Sequence, residues 1–289
     1  MHSVIIAGSG YVGSKLVSQL LATGENVITL VKSHSSCERL SGLTTCYSID
    51  LDGAFTLPAS VEFDHSVLYY FIPPQNSGVR DERLRVFLKA LENRFLPDKI
   101  ILISTTGVYG NCNGDWVDES RPVSPDTDRA KRRLDAEQVL SSWCESRNVG
   151  YIIMRVPGIY GADKLPLDRL ISGKPILALD ESPWSNRIHV DDLVSISIEF
   201  KSYVGSHHIF NISDGSPSTM SDFFIKVAQS RNIEIPPQIS LAQCSEIFSE
   251  NMMSYLLESK RIDNQRLLSE LQYDLKYPSI KEGLSANRD

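Results

Sequence analysis

The chain has few cysteines, no long apolar run and no surplus of basic residues, and each absence excludes a class of protein. The five cysteines are an odd number with no CxxC pair, which favours a reduced, cytoplasmic protein. No apolar run approaches the roughly 20 residues that span a bilayer, and no signal-peptide pattern precedes the first apolar strand. The formal net charge is -7, so neither nucleic acid nor an acidic membrane is expected as a partner.

What the chain does contain is a regular alternation of strand and helix patterns. Hydrophobic residues make up 42% of its 289 residues, enough for a substantial core. Strand patterns occur at residues 4–7, 26–31, 44–49, 66–72, 99–104 and 151–155, and helical patterns follow the first strand and cover 80–95 and 128–147. The alternation predicts an α/β fold with a Rossmann-type, doubly wound parallel sheet. Such sheets bind ligands at the carboxyl ends of their strands.

The regular alternation of strand and helix patterns ends after Arg155, where prolines and glycines accumulate. A helix is expected to begin near Asp191, and residues 208–212 have the pattern of one more strand. We therefore predict a dinucleotide-binding domain of residues 1–160 plus about 189–212. The remaining residues, about 161–188 plus 213–289, are predicted to form a smaller C-terminal lobe for the substrate.

A glycine-rich turn between the first strand and the first helix is the strongest local motif. Its spacing is that of a dinucleotide-binding turn, which binds the pyrophosphate at a helix N-terminus. The alternative is a glycine turn without a ligand. The predicted cofactor contacts of this turn are Gly8, Ser9, Gly10, Tyr11, Val12 and Gly13.

The ends of the next strands indicate which dinucleotide is bound. The second strand ends on Lys32 and Ser33 rather than on the acid that usually holds a ribose 2′-hydroxyl, so NADP is favoured over NAD. The alternative is a solvated lysine at a strand end. The third and fourth strands are expected to add Asp50 and Leu51 at the adenine and the segment Ile72-Pro73-Pro74 beside the cofactor.

Several later motifs together carry a family resemblance. Residues 104–110 end the fifth strand as Ser-Thr-Thr-Gly-Val-Tyr-Gly, and Ala136-Glu137, 155–161, 187–193 and 210–215 supply further landmarks. The chain resembles the extended short-chain dehydrogenase/reductase superfamily, in its nucleoside-diphosphate-sugar epimerase and dehydratase group. Its tail is similar to an atypical bacterial branch described as NAD(P)-dependent epimerase/dehydratase-like.

The resemblance implies roles for individual residues. Thr105 matches the substrate-orienting Ser or Thr of the family, and Ser104, Val156 and Pro157 match positions beside the cofactor. The implied substrate contacts are Thr106, Tyr109 and Arg187.

The chain differs from this family at the catalytic Tyr-x-x-x-Lys pair. Counting back from Glu137, its two positions fall on Arg129 and Arg133. An arginine cannot act as an acid near neutral pH, although Arg133 can still bind a ribose or a phosphate.

The sequence thus predicts an NAD(P)-dependent oxidoreductase or epimerase/dehydratase-like enzyme for a small polar, nucleotide-sugar-derived substrate. Thr105, Arg133 and Arg129 would be its catalytic residues, and no metal site is predicted. The alternative is an NADP(H)-sensing binding protein that has lost catalysis. The oligomeric state stays open between a monomer and a homodimer.

Overall fold

The computed structural model describes residues 3–286, which form a seven-stranded sheet flanked by helices and several short strand pairs. Residues 1–2 and 287–289, the two ends of the predicted domains, lie outside the described part. The described strands are β1 (Val4–Ala7), β2 (Val27–Val31), β3 (Thr45–Ser48), β4 (Val67–Tyr70), β5 (Lys99–Thr105), β6 (Trp116–Val117), β7 (Gly150–Val156), β8 (Gly158–Tyr160), β9 (Ile176–Leu177), β10 (Trp184–Ser185), β11 (Arg187–His189), β12 (Ile209–Asn211), β13 (Ser218–Thr219), β14 (Gln238–Ile239) and β15 (Arg261–Ile262). The described α-helices are α1 (Tyr11–Ala22), α2 (His34–Glu38), α3 (Glu82–Leu91), α4 (Asp128–Glu145), α5 (Leu167–Ile171), α6 (Val190–Ser202), α7 (Met220–Ser230), α8 (Leu241–Ile247), α9 (Glu250–Leu256), α10 (Gln265–Leu271) and α11 (Ile280–Ser285).

The order of the main sheet is β12-β7-β5-β4-β1-β2-β3. Strand β1 pairs in parallel with both β2 and β4, with Val4 opposite Val27 on one side and Val67 on the other. The chain therefore reverses its direction of winding beside β1, where doubly wound sheets bind ligands. The predicted Rossmann-type α/β fold is confirmed.

Apolar runs explain why these strands lie in the interior. Every residue of β1, β2 and β4 is buried, as expected for parallel strands covered by helices on both faces. Helix α3 buries one face at helical spacing, and Asp81 caps its first turn by accepting a bond from the Leu84 amide at 3.0 Å. The buried apolar side chains of α3 are Leu84, Phe87, Leu88 and Leu91.

The chain divides into two compact units. The first unit comprises residues 1–108, 128–155 and 193–210, and the second comprises 109–127, 156–192 and 211–289. This division differs from the predicted one, most clearly at residues 109–127. That segment joins the second unit because β6 pairs with β15, and the Cys112 amide donates to the Ser259 carbonyl at 3.1 Å.

The second unit has its own apolar centre. One cluster of buried side chains joins β8 to α7 and α11, with Tyr160, Phe223 and Leu284 among its members. Asp192 fixes the C-terminal segment, because its carboxylate accepts bonds from the Tyr273 hydroxyl and from the amides of Lys276 and Tyr277.

Two of the five cysteines form a disulfide. Cys37 of α2 and Cys46 of β3 are bonded, with their Cα atoms 5.5 Å apart. The expectation of reduced cysteines therefore does not hold for this pair. Cys112, Cys144 and Cys244 are buried free thiols. Within residues 3–286, no helix has the length and apolar character needed to cross a bilayer.

Candidate functional site

The glycine turn after β1 has two glycines that the fold needs and one whose free side faces open space. Gly8 has a φ of 101°, and a Cβ there would lie 2.8 Å from the Ile72 amide nitrogen. A Cβ on Gly13 would lie 2.1 Å from the Gly8 carbonyl oxygen. A Cβ on Gly10 would meet nothing within 4 Å. Gly8 and Gly13 are therefore required for packing, whereas nothing in the fold itself requires a glycine at Gly10.

The open side of Gly10 lies where α1 begins. Gly10 is the N-cap residue of α1, and no side chain caps this end of the helix. A helix N-terminus presents backbone N–H groups and a partial positive charge, both of which favour an anion. The turn thus fits the pyrophosphate of a dinucleotide, since the backbone is open to approach at the point where the helix attracts negative charge.

A charged cluster, formed by Lys32, Asp50, Asp52 and Arg83, lies at the carboxyl ends of β2 and β3. Lys32 Nζ is 2.7 Å from Asp52 Oδ2 and 3.7 Å from Asp50 Oδ1. Hydrogen bonds from Arg83 and Lys32 hold the pKa of Asp52 well below its usual value. The bond to Asp52 correspondingly raises the pKa of Lys32. An acid missing from the end of β2 is therefore supplied by the chain that follows β3.

Arg83 joins this charged cluster to the segment after β4. Its guanidinium donates to both carboxylate oxygens of Asp52 at 2.6 Å, and also to the carbonyls of Pro73 and Pro74 at 2.9 and 3.2 Å. Arg83 thus holds the Pro73-Pro74 segment, which is predicted to lie beside the cofactor. Arg83 itself is not among the residues predicted from the sequence. No local pattern marks it, because it lies inside an ordinary amphipathic helix.

A serine cluster, formed by Ser33, Ser35, Ser36 and Arg39, surrounds the start of α2. The Ser33 hydroxyl accepts a bond from the Ser36 amide at 3.3 Å and lies 3.0 Å from the hydroxyls of Ser35 and Ser36. Arg39 Nη2 donates to Ser36 Oγ at 2.9 Å. The strand-end pattern predicts only Ser33 as a cofactor contact, although the three-residue spacing of Ser33, Ser36 and Arg39 on a helix also indicates Ser36 and Arg39.

Ser104, at the end of β5, belongs to a buried charged network. Its hydroxyl donates to Glu137, whose carboxylate also accepts two bonds from Arg155 Nε at 3.2 Å and one from Nη2 at 2.7 Å. The side chains of Glu137 and Arg155 are only 4% and 5% exposed. The hydroxyl of Ser104 therefore anchors α4 to β5.

Leu51, another predicted cofactor contact, packs its side chain in the apolar core.

Thr105 is the last residue of β5, and its side chain is half-buried. Its Oγ1 accepts a bond from the Gly107 amide at 3.1 Å, which leaves the hydroxyl proton available for another acceptor. A Cβ on Gly107 would lie 3.4 Å from the Thr105 side chain and 3.7 Å from that of Ala130. The turn after β5 therefore lies against the first turn of α4. Thr106, next in the chain, is buried.

Helix α4 carries Arg129 and Arg133, the two arginines predicted to lie at the positions of the family's catalytic pair. Arg133 Nη1 donates to the carbonyl of Ile103 at 3.1 Å, two residues before Thr105. Burial lowers the pKa of Arg133, while Asp81 and Tyr70 oppose the shift. Arg129 lies one helical turn earlier and is half-buried. The structure thus brings Arg133 and Thr105 to the same strand end.

The second unit contains the other predicted residues. Tyr109 is 1% exposed and donates to Asn211 Oδ1 at 2.8 Å, so its hydroxyl lies in the interior. The hydroxyl of Tyr160 donates to the Ser279 carbonyl at 3.2 Å. Val156 ends β7 and is buried, and Pro157 follows it.

Arg187 and Asp214 are neighbours in this unit, because the Asp214 amide donates to the Arg187 carbonyl at 2.8 Å. The Arg187 guanidinium lies 4.5 Å from the centre of the Phe223 ring and donates to the Asn186 carbonyl at 2.8 Å. Burial lowers the pKa of Arg187 to about 10, and Asp214 opposes this shift. Burial raises the pKa of Asp214 to about 7, while a hydrogen bond from the Ser216 amide opposes this rise. Oδ2 of Asp214 has no hydrogen-bond partner among the described residues.

Comparison with known proteins gives a consistent picture. Residues 83–213 match the model of the NAD dependent epimerase/dehydratase family. The chain is 25% identical, over 81% of its length and 73% of the relative's, to the N-acetyl-alpha-D-glucosaminyl-diphospho-ditrans,octacis-undecaprenol 4-epimerase of Escherichia coli O157:H7.

Two solved structures share the fold over almost the whole chain. A conserved protein of unknown function from Silicibacter pomeroyi superposes with a TM-score of 0.85 at 24% identity, covering 100% of this chain and 98% of its own. The UDP-glucuronic acid 4-epimerase of Bacillus cereus, in complex with UDP-glucuronic acid and NAD, superposes with a TM-score of 0.76 at 17% identity, covering 99% and 98%. Residues 83–213 are therefore similar to the NAD dependent epimerase/dehydratase family, and the two solved structures show that the whole chain shares their fold.

Proposed function

We propose that the chain is an NADP(H)-dependent oxidoreductase or epimerase/dehydratase-like enzyme that acts on a small polar substrate derived from a nucleotide sugar. The observation that carries the proposal is the open side of Gly10 at the uncapped start of α1. The serine cluster and Lys32 follow at the end of the next strand of the sheet. A pyrophosphate and a phosphorylated ribose need these two features side by side.

The preference for NADP rests on the serine cluster. Three hydroxyl groups and the guanidinium of Arg39 follow Lys32 directly in the chain, and this donor set suits a phosphate dianion. Lys32 is paired with Asp52, which is a competitor for its charge. Arg83 already donates to both oxygens of Asp52, so Lys32 can turn to a phosphate without leaving that carboxylate unpaired.

The chemistry centres on Thr105 and Arg133. When bound, the nicotinamide would supply the capacity to accept or donate hydride. The Thr105 hydroxyl, which already accepts the Gly107 amide, would donate its proton to a substrate carbonyl or hydroxyl oxygen. Arg133 and Arg129 would stabilise negative charge on substrate or ribose oxygens, and a water or the substrate would carry the transferred proton. In the second unit, Arg187 is the residue we assign to an anionic part of the substrate.

A second candidate function is a cofactor sensor without catalysis. It is favoured by three tyrosine hydroxyls that already donate hydrogen bonds inside the protein. Tyr69 donates to Ser197, Tyr109 to Asn211 and Tyr160 to Ser279. These three hydroxyls therefore do not replace the tyrosine that the family uses as a proton donor on α4, where this chain has Arg129.

Calorimetric titration with NADPH and NADH tests cofactor binding. We expect tighter binding of NADPH, and about tenfold or greater weakening of NADPH alone in Lys32→Ala and in Arg39→Ala, the loss typical of a bond to a charged group. Lys89→Ala, an exposed position on α3, is the matched control. Tighter binding of NADH by the parent protein would contradict the NADP assignment.

The enzyme and the sensor are separated by two substitutions. Each variant is incubated with UDP-sugars and NADP(H), and both the cofactor absorbance and the conversion of the sugar are followed, because an epimerase returns its hydride and leaves the absorbance unchanged. In an enzyme, Thr105→Val should lower turnover about 100-fold, the typical loss of one stabilising donor, and leave NADPH affinity unchanged. Arg133→Ala should weaken NADPH binding in either case, and Thr56→Val at an exposed loop position is the control. Unchanged turnover in Thr105→Val would rule out a role for Thr105 in catalysis.

A cytoplasmic location and a homodimer stay predictions.

A further inference from the structure

The Cys37–Cys46 disulfide lies next to the residues we assign to the 2′-phosphate. Cys37 follows Ser36 directly and precedes Arg39 by two positions, so it sits within the serine cluster. Cys46 lies on β3, at the edge of the sheet, where it pairs with Thr29 of β2. Both cysteines are only half-buried. A small thiol or a redox protein can therefore approach this bond from solvent.

Helix α2 contacts β2 and β3 but has no buried side chain to fix it to them. It is five residues long and none of them is buried, so no apolar face fixes it to the sheet. An isolated helix of this length is unstable in water, because its nucleation cost is not repaid by later turns. The disulfide therefore provides a covalent link that fixes the Ser36 hydroxyl and Arg39 relative to β3.

We propose that Cys37 and Cys46 form a reversible thiol–disulfide site that controls recognition of the cofactor's 2′-phosphate. In the disulfide form, Ser33, Ser36 and Arg39 are held ready for the phosphate. In the dithiol form, α2 loses its link to β3, and the ordering of these side chains must be supplied by the binding energy. The proposal rests on the NADP(H) site proposed above.

The reaction is an exchange with an external dithiol. A thiolate of the dithiol attacks one sulfur of the bond, the Cys37–Cys46 bond breaks, and a mixed disulfide forms while the other cysteine leaves as a thiolate. The second thiol of the reductant then attacks the reductant's first sulfur in the mixed disulfide, and the cysteine bound to that sulfur is released. Two electrons and two protons pass to the protein, and the reductant becomes a disulfide. A low-molecular disulfide reverses the reaction.

The effect should fall on one cofactor only. The 2′-phosphate is the group that distinguishes NADP from NAD, and the serine cluster is the part of the site that α2 carries. The glycine turn is anchored instead to β2 and to the segment after β4, since the Gly8 amide donates to the Leu30 carbonyl at 2.8 Å and Gly8 packs on Phe71 and Ile72. Reduction should therefore leave NADH binding nearly unchanged.

The test is calorimetric titration of the full chain with NADPH and with NADH, after treatment with oxidised glutathione or with dithiothreitol. We expect reduction to weaken NADPH binding about tenfold, equivalent to about 1.4 kcal/mol, and to change NADH binding less than about twofold. Alkylation of the native protein followed by mass spectrometry should label Cys37 and Cys46 only after reduction.

Three variants support the reading of the titration. Cys37→Ser with Cys46→Ser should bind NADPH as the reduced protein does under both conditions. Arg39→Ala should reduce the response, because one of the groups that α2 and its flanking residues hold ready for the phosphate is then absent. Cys112→Ser should retain the response, since this buried thiol belongs to the second unit, whereas α2 and β3 belong to the first.

The outcomes separate this proposal from the one it rests on. Equal NADPH affinity in the two redox states, or equal weakening of NADPH and NADH, overturns the redox site and leaves the cofactor site standing. Failure of the oxidised protein to bind either nucleotide overturns both. A melting temperature measured in each redox state shows whether the loss of NADPH binding is local, and global unfolding on reduction also counts against the proposal.

Discussion

Arg83 holds Asp52 with two hydrogen bonds of 2.6 Å across 31 residues of sequence. The same guanidinium donates to the carbonyls of Pro73 and Pro74. One side chain of α3 thus connects the segment after β3 to the segment after β4. Both segments lie at the carboxyl edge of the sheet, where a dinucleotide is expected. Arg83 is therefore a positioning residue for the proposed adenosine end of the site.

Replacing Arg83 with lysine should weaken binding of NADPH and NADH alike. Lysine keeps the charge but cannot make the paired bonds to Asp52 and reach the two proline carbonyls together. We expect both dissociation constants to rise by about three- to tenfold, the value of one or two lost hydrogen bonds. Arg85→Lys is the matched control, because Arg85 also binds a carboxylate, that of Asp135, with two bonds from α3. Equal effects of the two variants would remove the special role of Arg83.

Gly10→Ala and Gly13→Ala should fail in different ways. The methyl group at Gly10 enters open space, so the variant should fold normally and lose cofactor affinity by about 1.5–3 kcal/mol, the value of a hydrogen bond to a charged group. The methyl group at Gly13 meets the Gly8 carbonyl, so this variant should lose about 1–3 kcal/mol of stability from overpacking. Urea unfolding and NADPH titration measure the two effects. Normal NADPH binding by Gly10→Ala would contradict the placement of the pyrophosphate.

Glu137→Gln should strongly destabilise the first unit. The substitution leaves Arg155 as a buried cation without its carboxylate and also weakens the bond from Ser104. Breaking one side of a buried ion pair typically costs about 3–5 kcal/mol. The double variant Glu137→Leu with Arg155→Leu should lose less than the single one, because no buried charge remains. Urea midpoints of the two variants decide the matter, and a smaller loss in the single variant would show that the pair is dispensable.

Asp214 should make the protein less stable as the pH rises from about 4 to about 7. Its pKa is raised from 3.8 to about 7 in the fold, so the native state holds a proton that the unfolded chain releases in this window. Stability then falls with rising pH, by at most about 1.4 kcal/mol per pH unit. Asp214→Asn cannot titrate and should lack this component of the slope. The measurement is urea unfolding at pH 4.5, 5.5 and 6.5 (about one pH unit apart), and identical slopes for both proteins would refute the prediction.

The sequence by itself determined the central sheet and the glycine turn. Residues 4–7 form β1 as predicted, and the strand predicted at 26–31 is observed as Val27–Val31. Buried parallel strands are continuous apolar runs with glycines at their ends, and this pattern is local, so no tertiary information is needed to find them. Lys32 and Ser33 could be named for the same reason, because a strand end in such a sheet faces the ligand edge.

Only the tertiary structure decided which side chains meet at that edge. Asp52 lies beside Lys32 and Arg83 beside Pro73, through contacts that depend on strand order and helix packing. The interior position of the Tyr109 hydroxyl and the Cys37–Cys46 bond were equally hidden. The physical reason is that these contacts depend on the directions of side chains on separate elements, whereas periodicity reports only which residues are buried along one element.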